Sequence, residues 1–190
     1  MLRRYHEGFM PPEPVRLPDE VYQVRVSLIG CEPEIWRRLL VLPEMSLRRF
    51  SEAIQVAMGW NGSHLHEFRR GKDLFGEPDV DRDPYQITRR QDDRKVPVRK
   101  LLPRLKAEAF YTYDFADDWQ HRLVLEKRLK ANPATPYPLC TEGEIACPPD
   151  DCGGPRGYFR LVSRPGYNAT HVSLEAINRA LESRCWSARP

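Results

Sequence analysis

Between Tyr22 and Arg70 the hydrophobic period of this chain changes twice, and that switch limits its fold more than any other feature. Apolar side chains alternate first, at Tyr22, Val24, Val26 and Leu28 against Gln23, Arg25 and Ser27, the pattern of a strand with one buried face. Gly30 ends this run, and a second strand is predicted over Ile35 to Leu42, closed by Pro43. The connection from Gly30 to Glu34 is short enough for a hairpin. From Leu47 the period becomes helical: Leu47, Phe50, Ala53, Ile54, Ala57 and Met58 share a face, Ser46 is placed to cap the N-terminus and Gly59 to end the helix. After the turn signal Trp60-Asn61-Gly62, the segment Leu65 to Arg70 reads as a strand again. The helix must bury its apolar face on the sheet, so the predicted fold is α+β. It has a mixed or antiparallel sheet, a grasp-like β-β-α-β opening and one main packed helix.

The remaining punctuation sets the boundaries. Pro11, Pro12, Pro14 and Pro18 mark residues 1–18 as an extended arm, and a single domain is expected over 19–163. Residues 71–100 read as a polar excursion rich in turns. Phe110 to Phe115 and His121 to Leu129 are predicted strands joined through a turn at Asp117-Asp118. Six prolines between Pro133 and Pro155 predict a long irregular segment held by fixed φ angles, and Tyr158 to Val162 reads as a last short strand. Residues 164–190 form a C-terminal extension with a helix from about Ser173 to Ser183.

Composition excludes several classes. The 190 residues are 41% hydrophobic, enough for a core, and 30 basic against 27 acidic residues leave a net charge of only +3. No global field therefore demands nucleic acid or an anionic membrane. No apolar run reaches the roughly 18 residues of a membrane span, and no secretory signal is apparent, so a cytoplasmic location without a membrane partner is expected. An odd five cysteines without an export signal point to thiols or metal ligands rather than disulfides.

Chemistry concentrates in two blocks. In the first, Tyr113 to His121, the side chains of Asp114, Asp117, Asp118 and His121 could converge on a divalent cation, or His121 could pair with a carboxylate as a general base. Strand alternation would set Asp114 opposite Tyr113 and Phe115; the plainer alternative is an acidic turn with Trp119 folded onto the core. The second block runs from Cys147 to Pro155. Cys140, Cys147 and Cys152 with His121 could complete a tetrahedral zinc site, although no two-residue knuckle separates the cysteines, and the alternative is small buried thiols. His64 and His66, two apart on a predicted strand, would share a face as a ligand pair or as hydrogen-bonded core histidines. A basic stretch between Arg89 and Lys106, including Arg90, Arg94, Lys95, Arg99 and Lys100, is of phosphate-binding type or else a solvated surface; Arg3, Arg4 and Arg16 in the arm could add to it. No nucleophile elbow or phosphate-cradling loop is present.

Six ordered motifs carry a resemblance. They are Trp60-Asn61-Gly62-Ser63-His64-Leu65-His66-Glu67-Phe68, Phe75-Gly76-Glu77-Pro78-Asp79, Asp92-Asp93-Arg94-Lys95-Val96, Tyr113-Asp114-Phe115, Asp117-Asp118-Trp119-Gln120-His121 and Ala146-Cys147-Pro148-Pro149-Asp150-Asp151-Cys152-Gly153-Gly154-Pro155. Over residues 20–162 the chain resembles the plasmid pRiA4b ORF-3-like family. The resemblance implies an α+β domain associated with plasmids and mobile elements. Some family members carry a resolvase label, but this chain offers no serine-recombinase chemistry. Ala116 stands where the family usually has glycine, and Arg164 to Pro190 replaces an acidic, histidine-bearing segment.

The expected function is that of a cytosolic, non-enzymatic binding module with a protein partner. Asp114, Asp118, Trp119 and His121 would form its floor and Asp150, Asp151 and Gly154 its rim. The alternatives are a metal-dependent hydrolase using Asp114, Asp118 and His121, and a nucleic-acid-binding accessory protein using residues 89–106. Zinc is the cofactor that the cysteine set with His121 would hold.

Overall fold

A computed structural model of the chain describes residues 19–78, 90–167 and 172–185. The predicted arm over 1–18, with Arg3, Arg4 and Arg16, lies outside the described residues, as does Arg89. The elements begin β1 (Glu20–Leu28), β2 (Ile35–Val41), α1 (Leu47–Met58) and β3 (His66–Arg70), the predicted β-β-α-β order. They continue with β4 (Asp73–Gly76), β5 (Gln91–Asp92), α2 (Val98–Leu101), β6 (Glu108–Tyr113), β7 (Trp119–Lys130), β8 (Leu139–Glu144), α3 (Gly154–Val162) and α4 (Leu174–Cys185). The described strands form one mixed, open sheet in the order β5-β4-β3-β6-β7-β1-β2-β8, parallel only between β4 and β5.

Period and pairing agree at the centre of this sheet. β1 pairs with β2 from Tyr22 opposite Val41 to Leu28 opposite Ile35, and with β7 on its other side, so both of its edges are hydrogen-bonded. Val24, Val26 and Leu28 then fall on the buried face. Ser46 Oγ accepts from Arg49 N at the start of α1. At its end Gly59 takes the left-handed conformation, φ +84°, which lets Gly59 N and Trp60 N reach the carbonyls of Val56 and Gln55 and turns Trp60 into the core. α1 lies on the face formed by β3 and β6: Phe50 stacks on Phe68 at 5.8 Å, and Ser51 and Gln55 hydrogen-bond the Tyr111 hydroxyl at 2.9 Å.

The alternation of β2 places an arginine inward. Ile35, Arg37, Leu39 and Val41 all face the core, and Arg37 is 2% exposed. Its guanidinium donates to the carbonyls of Ala57 at 2.9 Å, Trp36 at 2.7 Å, Glu144 at 3.1 Å and Ile145 at 3.0 Å, and to Cys147 Sγ at 3.2 Å. One side chain thereby joins β2, the C-terminal end of α1 and the exit of β8. Gly143 in β8 makes room for it, since a Cβ there would stand 2.7 Å from Arg37 Cδ.

Three sequence expectations are corrected. Tyr158 to Val162 is helical, within α3, because Gly153 at φ +90° and Pro155 in the first turn start a helix, whose Gly157 and Tyr158 face inward while Phe159 faces out. The segment from Pro133 to Pro155 is not wholly irregular: its proline-free run 139–147 supplies β8 on the edge of the sheet. The polar excursion over 71–100 contains β4, β5 and the start of α2. The expected C-terminal helix is present as α4 and does more than follow the domain. Asn178 accepts from Cys140 N at 2.8 Å and donates to Cys140 O at 2.9 Å, covering the free edge of β8, and Leu181 and Cys185 enter the core.

Two stability predictions follow from these contacts. Replacing Arg37 with alanine leaves buried carbonyls without donors and should cost about 3 kcal/mol or more in urea unfolding; a loss under about 1 kcal/mol would show that the network carries little stability. At Gly157 an added Cβ would meet Cys152 O at 1.8 Å. Gly157→Ala should therefore cost about 2 kcal/mol or more, against about 1 kcal/mol for Gly71→Ala, where the only penalty is a left-handed backbone.

Candidate functional site

The turn between β6 and β7 is organised by a single carboxylate. β6 ends at Tyr113, and Asp114 adopts φ +55° and Asp118 φ +52°. Asp114 Oδ1 accepts from Ala116 N at 2.9 Å and Asp117 N at 3.3 Å, and Asp118 N closes the turn on Asp114 O at 2.7 Å. Aspartate tolerates the left-handed conformation because its short side chain bonds the local backbone in this way. Asp114 has thus left the strand, and the expectation that it points opposite Tyr113 and Phe115 on a continuing strand is corrected. Its backbone N–H donates to Leu65 O at 3.0 Å, which fixes the residues just before β3 against the turn.

The Cys-Pro-Pro loop docks on the same end of the sheet. Gly153 N donates to Asp117 Oδ2 at 3.0 Å, and Asp150 Oδ2 accepts from Asn61 N at 2.9 Å. Trp60 Nε1 donates to Pro148 O at 3.0 Å while its ring stacks on Tyr113 at 5.0 Å. Gly154 has φ +66°, and a Cβ there would lie 2.3 Å from Asp117 O, so only glycine allows this approach. The two polar blocks, whose touching residues Asp117 and Gly153 are 36 apart in sequence, are therefore in direct contact.

Between them stands His64. Its Nε2 is 2.9 Å from Asp151 Oδ1 and its Nδ1 is 3.6 Å from Asp114 Oδ2, while its ring packs edge-on against Tyr113 at 5.6 Å. One ligand atom each from His64, Asp114 and Asp151 lie within 4.8 Å of one another. A polar cleft of about 600 Å³ opens beside this cluster, walled by α1, residues Asn61 to His66, Glu77 and Arg184. Leu65 and Phe115, on either side of the turn contact, are 50% and 47% exposed.

Several predicted site residues are placed elsewhere. His64 lies just before β3, which begins at His66, and both rings border the cleft; His66 is the expected hydrogen-bonded core histidine, with Nε2 2.8 Å from Asp93 Oδ2 and its ring against Phe68 and Tyr111. Trp119 and His121 have no exposed area and lie beneath the surface they were expected to floor. Asp118 is exposed and accepts from Gln120 Nε2. Among the described residues Asp114, Asp118 and His121 form no ligand group, and neither do His121, Cys140, Cys147 and Cys152. Cys147 contacts Met58 Sδ at 3.1 Å and Arg37, and burial pushes its thiol up to about 12 and that of Cys140 to about 11. These are packed thiols, kept protonated by desolvation. The basic stretch is largely neutralised: Arg90 pairs with Glu67, Arg94 and Lys95 with Asp92, and Arg99 with Glu44, while Lys100 donates to Gln91. Sequence reasoning missed the centrality of Arg37 and of His64. Strand parity would have flagged the first; no local signal singles out the second.

His121 has a structural rather than a surface role. Its Nδ1 donates to Tyr111 O at 3.2 Å, its ring packs against Trp60 and Tyr111, and burial pulls it down to about 4. The unfolded chain binds a proton near pH 6.5 and the folded chain does not, so this contribution is complete above pH 6.5 and is lost as pH falls towards 4. The stability difference between the wild-type chain and His121→Asn should shrink by about 2.5 kcal/mol between pH 7 and 4.5 in urea titrations. An unchanged difference would contradict this burial.

Comparison with known proteins places this arrangement. The model of the family described as plasmid pRiA4b ORF-3-like protein matches residues 20–188, which takes in both polar blocks and α4. The chain is 38% identical over 139 residues to the uncharacterized protein y4hQ of Sinorhizobium fredii (strain NBRC 101917 / NGR234), covering 73% of this chain and 69% of that protein. The crystal structure of the protein of unknown function MM3350 from Methanosarcina mazei Go1 superposes with a TM-score of 0.73 at 28% identity, over 83% of this chain and 96% of that one. With its sheet, its turn and its Cys-Pro-Pro loop all inside the matched span, the chain belongs to the plasmid pRiA4b ORF-3-like protein family.

Proposed function

We propose that the chain is a non-enzymatic binding module whose protein partner docks on the end of the sheet where the acidic turn meets the Cys-Pro-Pro loop. The observation that carries this reading is the position of Leu65 and Phe115. Both are large apolar side chains about half exposed, and both flank the backbone bond between Asp114 N and Leu65 O. In the same turn and loop Asp118 and Asp151 are exposed, and Asp150 is partly exposed. Apolar anchors on the same turn and loop as exposed carboxylates suit a basic protein segment that presents an apolar side chain, because the anchors gain from desolvation while the charges steer the approach. The left-handed residues and the glycine contact hold the surface in place before binding, which lowers the ordering cost of association. The hydrolase reading lacks this support, since Asp118 and His121 do not join Asp114. The nucleic-acid reading is weakened by the carboxylates that already occupy the basic stretch.

Phe115→Asp and Leu65→Ser remove the anchors from exposed positions and should alter stability by no more than about 0.5 kcal/mol. Cross-linking with quantitative mass spectrometry in the native cell should show at least one partner captured by the wild-type chain and lost from both variants. Identical capture by all three chains would refute the assignment of this surface.

A further inference from the structure

We infer that His64, Asp114 and Asp151 form a binding site for a first-row divalent transition ion of the zinc and manganese class. The donor set is one imidazole nitrogen and two carboxylate oxygens, brought from three separate segments to within 4.8 Å of one another. Mixed nitrogen and oxygen donors suit zinc, manganese or ferrous ions better than magnesium or calcium, which favour oxygen alone.

Two further observations point to a ligand rather than to an ordinary ion pair. Asp114 is buried, its side chain only 7% exposed, yet one of its oxygens is left over. Oδ1 is occupied by the backbone of the turn, whereas Oδ2 accepts no hydrogen bond among the described residues and is aimed at His64 Nδ1 across 3.6 Å. That gap is too long for a hydrogen bond. It is close to the separation of about 3.4 Å expected for two ligands each about 2.1 Å from a tetrahedral ion. His64 Nε2 is buried and makes no hydrogen bond of acceptable geometry, with Asp151 Oδ1 2.9 Å away; the ring gives an ion one of its two nitrogens, and the other keeps its carboxylate. Of this group only His64 Nε2 is a buried atom without a hydrogen bond, and the carboxylates on either side of the ring supply negative charge for a cation to neutralise.

The surroundings fit a metal site. The two turn N–H groups on Asp114 Oδ1 orient that carboxylate, the supporting role common around metal ligands. Asp151 is 67% exposed and leaves the ion a route to solvent, and the cleft beside His64 adjoins the open side. An ion there would tie the Cys-Pro-Pro loop to the turn and to the residues entering β3, adding to the hydrogen bonds that already join these three segments. The inference stands on these side chains and does not depend on the proposed partner surface.

The test uses the full-length chain, stripped with chelator and titrated with Co²⁺ and then Zn²⁺ alone. We expect one Co²⁺ per chain, with the visible absorption of a nitrogen and oxygen site, displacement by Zn²⁺, and a melting temperature that rises with metal concentration. Asp151→Asn, at an exposed position, should retain the fold and weaken the ion at least tenfold, and His64→Gln should do the same. Phe115→Ser, which adds no charged ligand, should bind metal as the wild-type chain does, which separates this site from the partner surface. The inference is overturned by failure to bind one equivalent saturably, since a simple imidazolium held between two carboxylates needs no metal. It is equally overturned by Asp151→Asn and His64→Gln binding as tightly as the wild-type chain, or by an intense thiolate-to-cobalt band that places the ion on the cysteines.

Discussion

A buried guanidinium holds the two halves of this molecule to each other. Arg37 lies on the inward face of β2 and reaches the last turn of α1, the exit of β8 and Cys147 with a single planar group. Among the described residues no carboxylate neutralises it. Its charge is instead spread over four carbonyls and a thiol sulfur, one of those carbonyls at the negative end of the α1 dipole. The rigid five-donor fork of arginine suits this task, and a lysine ammonium could not span the same acceptors. Its position explains features that look unrelated in the sequence. Gly143 is small because Arg37 passes over it, and the half-buried Cys147 completes the guanidinium shell with its sulfur. The path of the chain from β8 into the Cys-Pro-Pro loop is set by the carbonyls of Glu144 and Ile145 turning toward the same group.

From that anchor the loop runs to the far end of β6 and β7, where local backbone chemistry takes over. The left-handed residues Asp114, Asp118 and Asp151 and the glycines at 153 and 154 create a tight seam in which backbone groups meet side-chain carboxylates. Beneath the seam, Trp60, Tyr113, Trp119 and His121 form a continuous aromatic layer, with ring separations of 5.0 to 5.7 Å from Trp60. The aromatic layer supplies a rigid base, and the polar seam above it supplies chemistry. This division explains why a block of carboxylates, histidines and aromatics that reads as one unit in sequence separates into two levels in space. Trp119 and His121 belong to the lower level and Asp114 to the seam, with Asp118 on the outer surface.

Much of the fold was legible because its signals are local. The alternation from Tyr22 to Leu28, the helical spacing from Leu47 to Met58 and the caps Ser46 and Gly59 each report backbone geometry within a few residues, and all are found as read. The misread segments are those where local signals conflict. Tyr158 to Val162 carries strand-forming residues, yet Gly153 and Pro155 start a helix, and the buried positions then follow helical spacing. In β8 the flanking prolines obscured six residues free to pair, and the edge they create is satisfied by Asn178 from α4, a contact invisible at 38 residues' separation.

The sequence by itself determined the α+β class, the order of the opening elements, the hairpin at the acidic turn and the residue types from which a polar site could be assembled. Only the tertiary structure decided which of those residues meet. His64 joins Asp114 and Asp151 rather than His66, His121 is sealed into the core away from the cysteines, and the basic stretch is paired with acids from other segments. The physical reason is that period and capping are properties of consecutive residues. The meeting of side chains from the residues before β3, a turn and a distant loop depends on strand order, register and a few left-handed residues, which are set by the whole packed chain.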